Sequence, residues 1–268
     1  MAATLSQRYG TALVTGASSG LGLAFAGRLA REGIRVWGTS RDPARINAPV
    51  RGVRLDLADG PDAVAAVVVA VDADSGGLDL LVHGAGWGAF GAFAGTDFAL
   101  WRRQLDELAL GGAAVMHAGL RAMSGRGRGT LVCVTSLAAE FPIPFMAAYN
   151  AAKAAQSALA GSLMLETAGT GINVIDFRAG DFRTGFNDSM QRNDMPRTGA
   201  AWERVQELMR EAPVAARAAD DLVRALRHGR SATVRSGGFF QTRMAPLLAR
   251  FAPRSWQLAM IRRYFRVN

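Results

Sequence analysis

The chain has 268 residues, 50% of them hydrophobic, which predicts a single large α/β domain. It has no apolar run of about 18 residues, which argues against a membrane-spanning helix, and no signal-peptide core at its start, so we expect a cytoplasmic protein. Cys133 is the only cysteine and the three histidines lie far apart, which argues against disulfides and a metal site.

The formal charge of +9 is concentrated in the last third of the chain. Residues 1–181 carry 15 basic and 15 acidic side chains, whereas residues 182–268 carry 16 basic and 7 acidic ones. From Gln241 onward there are six arginines and no acid. No nucleic-acid motif accompanies this charge, so we expect no nucleic-acid partner, and a tail that contacts a membrane surface or acidic groups is favoured.

A short apolar run at residues 11–15 predicts a buried strand that ends in a glycine-rich turn. A helix with apolar residues at helical spacing follows, and Gly33 stands where its C-terminal cap belongs. This order of strand, glycine turn and helix N-terminus is typical of a pyrophosphate-binding site, because free N–H groups and the helix dipole meet the negative charge. The predicted phosphate-binding residues are Gly16, Ser18, Ser19, Gly20, Leu21 and Gly22.

The second predicted strand, residues 34–39, ends at Ser40 and Arg41. In dinucleotide-binding folds an acid at this point binds the ribose hydroxyls and disfavours a 2′-phosphate. A small hydroxyl and a guanidinium suit that phosphate instead, so we expect NADP(H) as the cofactor. The alternative is that Arg41 is a solvated loop charge.

Strands and helices continue to alternate along the chain. We predict further strands at residues 53–57, 78–82, 130–134 and 171–177, and helices at 62–71, at 98–123 and from the Tyr149 region to about residue 168. This pattern predicts a Rossmann-like, doubly wound parallel sheet with helices on both faces. We expect a dinucleotide-binding and catalytic domain at residues 1–240 and a basic, amphipathic helical segment at 241–268.

Tyr149 and Lys153 lie four residues apart, one turn apart on one helix face. A cation at that range favours the phenolate and lowers the tyrosine pKa, which suits general acid–base chemistry. Lys153 is the only lysine among the 31 basic residues, and a compact ammonium fits beneath a phenol where a guanidinium does not. The alternative is an ordinary alanine-rich helix with one stray lysine.

Several motifs in chain order resemble the short-chain dehydrogenase/reductase family over roughly residues 10–185. Residues 15–22 are similar to its cofactor loop, Asp56 stands where the family has an acid near the adenine, and Ser136 precedes Tyr149 by thirteen residues. The resemblance implies that Tyr149 is the proton donor or acceptor, that Lys153 lowers its pKa and binds the nicotinamide ribose, and that Ser136 orients the substrate oxygen. The further cofactor-binding residues it implies are Leu57, Gly84, Ala85, Gly86, Gly180 and Thr184, and we expect a homodimer or homotetramer.

Three residues depart from the family pattern. His83 replaces an asparagine before the glycine turn, Ala179 replaces a proline, and Leu108 replaces the asparagine that holds a water and supplies protons to the lysine. Leucine cannot serve that role, so protons must take another route or arrive slowly. The rival hypothesis is therefore a dinucleotide-binding but catalytically weak protein with a regulatory or scaffolding role. His83 is interpreted either as a polar group near the cofactor or as a residue hydrogen-bonded within its loop.

The expected substrate is a small apolar carbonyl or alcohol. Residues 141–146, together with Trp87, Phe90 and Phe93, are apolar and could line its pocket. Residues 244–266 combine aromatic and aliphatic side chains with arginines. Two interpretations of this segment stay open: a helix docked on the body or on a partner subunit, or attachment to a membrane surface.

Overall fold

A parallel sheet forms the centre of the computed structural model, which describes residues 4–193 and 197–267. Its strands are β1 Thr11–Thr15, β2 Arg35–Ser40, β3 Arg51–Arg54, β4 Leu80–His83, β6 Gly129–Ser136, β7 Ile172–Ala179 and β9 Ala232–Ser236. These seven strands lie in the order β3-β2-β1-β4-β6-β7-β9, which is typical of the predicted doubly wound fold. A small parallel pair, β5 Ala89–Gly91 and β8 Gln191–Asn193, lies apart from it.

The strand order reverses between β1 and β4, which are paired in parallel. Their register places Thr15 beside His83, and β6 continues the same edge to Ser136, which pairs with Ala179 of β7. The carboxyl ends of all these strands therefore meet at one edge. In open α/β sheets the ligand crevice lies outside that edge, at the reversal point.

Helices cover both faces of the sheet and enclose two cores. They are α1 Leu5–Arg8, α2 Gly20–Arg31, α3 Pro61–Ser75, α4 Phe98–Leu105, α5 Gly112–Ser124, α6 Ala147–Glu166, α7 Gly199–Glu211 and α8 Ala215–His228. One core, which includes Phe25 and Phe177, lies beneath α2 and α8. The other, which includes Leu108 and Met116, lies among α3, α5 and α6. Burial on both faces explains the nearly continuous apolar sequence of the central strands β1 and β4.

A π-helical stretch interrupts the helix predicted at residues 98–123. It spans Asp106–Gly111 and joins α4 to α5. Insertions of this kind widen one turn and often occur at functional sites. Here the wide turn contains Leu108, whose side chain is fully buried.

The third strand begins and ends earlier than predicted. It spans Arg51–Arg54, and Leu57 instead belongs to a short 3₁₀ turn, Leu57–Asp59. The cause is local, because the Asp56 carboxylate accepts a hydrogen bond from the Ala58 amide at 3.1 Å and so starts the turn.

The C-terminal segment packs against the body. It contains a π turn, Phe240–Met244, followed by α9 Ala245–Phe251 and α10 Arg254–Tyr264. Arg204 of α7 donates a hydrogen bond to the Tyr264 carbonyl at 3.2 Å, and Arg266 pairs with Glu207 at 2.8 Å. Phe265 and Val267 pack against the larger core. Among the residues described, no helix is long and apolar enough to cross a membrane.

Candidate active site

A cavity of about 1210 Å³ opens at the carboxyl ends of the strands. Every residue predicted from the sequence to bind cofactor or take part in catalysis lines it: Gly16, Ser18, Ser19, Gly20, Leu21, Gly22, Ser40, Arg41, Asp56, Leu57, Gly84, Ala85, Gly86, Ser136, Tyr149, Lys153, Gly180 and Thr184. We call this set the motif wall. The fold thus brings together residues that are spread over almost 170 positions of the chain.

Two glycines make the loop after β1 an open cradle. Gly16 has φ +74°, a left-handed conformation, and a Cβ there would lie 2.9 Å from Ala85 Cα. A Cβ on Gly22 would lie 2.2 Å from the Gly16 carbonyl oxygen. No other residue fits either position, because the loop packs directly against the backbone of residues 84–85 and against the first turn of α2.

The end of β2 forms a polar corner of the cavity. The Ser40 hydroxyl donates to the Ser18 hydroxyl at 3.0 Å and accepts from the Asp42 amide at 3.2 Å, which ties the strand end to the glycine loop. Arg41 and Arg45 both line the cavity, so two guanidinium groups are available there. Sequence reasoning identified Arg41 but missed Arg45, which lies in the following 3₁₀ turn.

Ser136, Tyr149 and Lys153 meet where β6 ends against α6. The Ser136 hydroxyl accepts from the Ala138 amide at 3.0 Å, which holds it at the end of its strand. Tyr149 and Lys153 are both buried on α6, and the lysine Nζ lies 5.9 Å from the tyrosine ring centroid. A hydroxyl, a phenol and an ammonium therefore converge on one part of the cavity.

The tyrosine pKa is shifted in the direction opposite to the one expected from the sequence. Burial raises the pKa of Tyr149 to about 12, although a hydrogen bond with Ser136 acts to lower it. Burial also lowers the pKa of Lys153 to about 8. The expectation considered only the attraction between ammonium and phenolate, whereas desolvation of both charged forms has the larger effect on the two pKa values.

Lys153 is held by the backbone and by one buried amide. Its Nζ donates to the Val134 carbonyl at 2.9 Å and to Gln156 Oε1 at 3.0 Å. Gln156 Nε2 in turn donates to the Leu108 carbonyl at 2.7 Å. The amide of Gln156 therefore bridges Lys153 and the π turn, in the region where the resemblance had implied a water held by asparagine.

His83 belongs to the same buried network. Its Nδ1 lies 3.0 Å from the Thr15 hydroxyl and its Nε2 lies 3.3 Å from Gln156 Nε2. Burial and the nearby Lys153 lower the His83 pKa to about 3, so the ring is neutral. Gly112 leaves room for the contact, since a Cβ there would lie 2.6 Å from Gln156 Nε2 and 2.9 Å from His83 Nε2. The histidine is hydrogen-bonded as one interpretation expected, but to β1 and α6 rather than within its own loop.

The apolar end of the cavity differs in part from the prediction. Trp87, Phe141, Ile143 and Met146 line it, but Phe90 and Phe93 do not. Phe90 is buried in the core, with its ring 5.0 Å from that of Trp202. Phe93 stacks on Trp101 at 5.8 Å and is half-exposed. Single aromatic positions in a sequence do not show which face of the chain they will occupy.

The C-terminal segment supplies a second, apolar side of the cavity, which sequence reasoning missed. We call it the tail wall, and it comprises Phe240, Leu248, Met260, Ile261, Tyr264 and Phe265. Gln241 links it to the body, because its amide donates to the Asp181 carboxylate and its Oε1 accepts from the Asp181 amide. Within the described residues, no cluster of His, Cys, Asp or Glu could hold a metal ion.

The sequence matches known proteins over the region that carries the motif wall. The family model of short chain dehydrogenases matches residues 10–195. An uncharacterized oxidoreductase of Myxococcus xanthus is 40% identical over 176 residues, 62% of this chain and 69% of that protein. A 3-ketodihydrosphingosine reductase of Bacteroides thetaiotaomicron is 31% identical over 183 residues, 68% of each chain.

Solved structures share the fold over nearly the whole chain. A short-chain dehydrogenase from Streptomyces avermitilis is 28% identical with a TM-score of 0.80, covering 95% of this chain and 98% of that one. A Burkholderia phymatum family member in complex with NAD has 23% identity and a TM-score of 0.80, covering 93% and 94%. L-sorbose reductase of Gluconobacter frateurii, in complex with NADPH and L-sorbose, has 23% identity and a TM-score of 0.70, covering 85% and 94%.

The chain therefore belongs to the short-chain dehydrogenase/reductase family of oxidoreductases.

Proposed function

We propose that this chain is an NADPH-dependent oxidoreductase that transfers a hydride between nicotinamide and a carbonyl or alcohol of a largely apolar substrate. The observation that carries the proposal is the single cavity in which the glycine cradle, the Ser40–Arg41 corner and the Ser136, Tyr149 and Lys153 side chains meet. The glycine cradle suits the phosphates of the cofactor, and the Ser40–Arg41 corner suits its adenosine ribose. The Ser136, Tyr149 and Lys153 side chains suit the reacting carbonyl.

The motif wall fits a dinucleotide. The glycine loop and the N-terminus of α2 line the cavity, and their backbone amides would receive the pyrophosphate. Asp56 and Leu57 would contact the adenine side of the dinucleotide. Residues 84–86 would contact its middle part, and Gly180 and Thr184 would contact its nicotinamide end. When bound, the nicotinamide supplies or accepts the hydride, and the protein supplies position and electrostatics.

Arg41 and Arg45 support NADPH over NADH. Both residues line the cavity after the end of β2, where an NAD-selective site would carry an acid. A guanidinium binds a phosphate through two parallel charge-assisted hydrogen bonds, and this contact exists only with the 2′-phosphate.

Tyr149 is the proposed proton donor during carbonyl reduction. A phenol whose pKa is raised to about 12 remains protonated at neutral pH and can donate its proton. The Lys153 ammonium then stabilises the negative charge that develops on the phenol oxygen. The Ser136 hydroxyl donates a hydrogen bond to the substrate oxygen. In the oxidation direction Tyr149 must first lose its proton, so oxidation should be favoured at higher pH.

Gln156 is the proposed positioning residue for Lys153. Its amide joins the lysine to the Leu108 carbonyl, so the missing asparagine does not leave the ammonium without a partner. An amide holds a proton donor in place but does not pass protons on as water does. Protons would therefore reach Tyr149 from the cavity side.

The apolar part of the cavity supports a largely apolar substrate. Indole, phenyl and aliphatic side chains of the body face the tail wall across it. The relative that reduces 3-ketodihydrosphingosine matches this chain over 183 residues, and its name is consistent with a ketone on an apolar chain. A cytoplasmic homodimer or homotetramer remains a prediction.

NADPH oxidation against a panel of aliphatic and aromatic ketones and aldehydes tests the proposal. We expect turnover with apolar carbonyls that falls sharply in Tyr149→Phe. The rival hypothesis of a catalytically weak regulatory protein predicts cofactor binding without turnover on any carbonyl. Turnover that is unaffected by Tyr149→Phe would contradict the proposed mechanism.

A further inference from the structure

The helix from the π turn through α9 presents an apolar stripe to solvent. Its residues follow spacings of three, four and seven, which places them on one helix face, and they are 39% to 78% exposed: Phe240, Met244, Leu247, Leu248 and Phe251. Trp256 and Met260 of α10 are also exposed. We call these seven side chains the apolar tail face. An exposed apolar patch on this scale usually marks an interaction site.

The apolar tail face lies within a strongly basic segment. Arg243, Arg250, Arg254 and Arg263 lie on the same helices and are all exposed. Within residues 4–193 and 197–267, none of these four forms an ion pair with a carboxylate, whereas Arg266 pairs with Glu207. Positive charge is therefore available for an anionic partner.

The apolar tail face is continuous with the cavity. Phe240, Leu248 and Met260 are solvent-exposed and also line the cavity. Deeper in, Ile261 and Phe265 continue the apolar lining of the tail wall. The shared side chains therefore join the exposed face to the apolar lining of the cavity.

We propose that the apolar tail face lies on an anionic lipid surface and admits a substrate with a long apolar chain from that surface into the cavity. Aromatic and leucine side chains enter the boundary between headgroups and acyl chains, while arginines at the rim bind anionic headgroups. Only the part of this proposal that concerns the substrate rests on the proposed function. The lipid contact rests on the exposed face and its charge.

A second copy of this chain is the competing occupant. In a two-fold dimer the same patch faces itself, so the patch that carries Arg243, Arg250, Arg254 and Arg263 would meet a second patch with the same four positive charges. Like charges placed together in an interface oppose association. The arginine content therefore favours a lipid surface over self-association.

Sedimentation of the full chain with vesicles tests the lipid contact. We expect binding to phosphatidylcholine vesicles that contain phosphatidylglycerol, weaker binding to phosphatidylcholine alone, and a loss of binding as salt rises. The variant Leu247→Ser/Phe251→Ser should bind at least tenfold more weakly, because both side chains are exposed and neither lines the cavity. The matched control is Val69→Ser/Leu165→Ser, which changes two exposed apolar residues on α3 and α6.

A charge variant separates the electrostatic part. Arg250→Gln/Arg263→Gln should weaken binding to the anionic vesicles roughly 25-fold, about fivefold for each basic residue lost near the surface. Arg121→Gln/Arg217→Gln, exposed on α5 and α8, should leave binding within twofold. Thermal melting checks that each variant is folded.

Several results would overturn the proposal. One is the absence of vesicle binding by the full chain, and another is equal binding by the tail-face and control variants. A third is a dimer in light scattering that Leu247→Ser/Phe251→Ser converts to monomer without changing vesicle binding, which would assign the face to a second copy.

Turnover of a short, water-soluble ketone should be unchanged in the tail-face variants. If that ketone is turned over but vesicles are not bound, this proposal fails alone. If vesicles are bound but no carbonyl is turned over, the proposed function fails together with the substrate part of this proposal, and the lipid contact stands.

Discussion

The motif wall and the tail wall enclose one cavity but are built in different ways. On the motif wall the key groups are tied to strand ends, as Ser136 is to the Ala138 amide and Lys153 to the Val134 carbonyl. The tail wall is mostly apolar and half-exposed, and it lies beyond the region that the family model matches. We propose that the first wall performs the chemistry and the second selects the substrate.

This division predicts that changes on the two walls affect different kinetic constants. Removing a group that acts in the transition state lowers kcat, whereas removing apolar contact with a remote part of the substrate raises KM. Variants of the motif wall should therefore change catalysis or cofactor binding, and variants of the tail wall should change the KM of long substrates.

The two cavity phenols provide the strongest contrast. Tyr149→Phe should lower kcat/KM for carbonyl reduction by roughly 10²–10⁴-fold, because general acid catalysis usually raises the rate by that factor. Tyr264→Phe is the matched control, because this phenol lies on the tail wall of the same cavity. It should change kcat/KM by less than fivefold. Comparable losses in both variants would show that the two walls do not divide these roles.

Cofactor selection should depend on Arg41. Removing a charge-assisted phosphate contact costs about 1.5–3 kcal/mol, so Arg41→Ala should weaken NADPH binding roughly ten- to a hundredfold. The affinity for NADH should change little, since NADH has no 2′-phosphate. Fluorescence titration of both cofactors measures this, with Arg121→Ala on α5 as the control. An equal loss for both cofactors would mean that Arg41 does not recognise the phosphate.

The tail wall should influence substrate size. Ile261→Ala removes apolar contact that contributes roughly 1–2 kcal/mol, so KM for a long-chain ketone should rise about five- to thirtyfold. The kcat for a short ketone should not change, because that substrate would not reach the tail wall. Leu165→Ala, exposed on α6, is the control. A fall in kcat with both ketones would instead assign Ile261 to the chemistry.

The buried amide of Gln156 should set the pH range of activity. Lys153 has a pKa of about 8, so the ammonium is present below that pH and is lost above it, and reduction should decline as pH rises through 8. Gln156→Glu places a carboxylate beside the ammonium and should move this decline to higher pH. Gln156→Leu removes an acceptor from the ammonium and should move it to lower pH.

Gln104→Leu is the matched control for both Gln156 variants. Gln104 is also a fully buried amide, but it forms no hydrogen bond with Lys153. Its Nε2 donates to the Trp87 carbonyl at 3.2 Å instead. Gln156→Leu should lose about 1–3 kcal/mol of stability, because the Leu108 carbonyl loses its donor. Gln104→Leu should lose less, because it also removes a buried Oε1 that has no hydrogen-bond partner among the described residues. Only the Gln156 variants should shift the pH profile. A profile that does not move in either would show that Gln156 has a purely structural role.

The motif wall could be predicted because its signals are local. Each motif sits where a strand ends and a turn begins, and parallel strands bring those ends to one edge of the sheet. The fold and the grouping of these residues in one cavity follow from that rule. Whether each residue binds cofactor or substrate remains a prediction.

The remaining features depend on packing that sequence spacing does not encode. The spacing of Tyr149 and Lys153 indicates a shared helix face, but not the burial that raises one pKa and lowers the other. Gln156, three residues after Lys153, lies on that face too, and this spacing could have indicated the contact. In the sequence, the tail-wall residues appear only as an amphipathic pattern. Such a pattern does not show which helix face packs against the body.

Deuterium transfer from cofactor to product tests the central claim most directly. Single turnovers with NADPH deuterated at the transferable position of the nicotinamide ring would be followed by mass spectrometry of the alcohol product. The account predicts one deuterium on the former carbonyl carbon, formed much more slowly in Tyr149→Phe but at the normal rate in Tyr264→Phe. Binding of NADPH with no deuterium in the product of any carbonyl tested would contradict it.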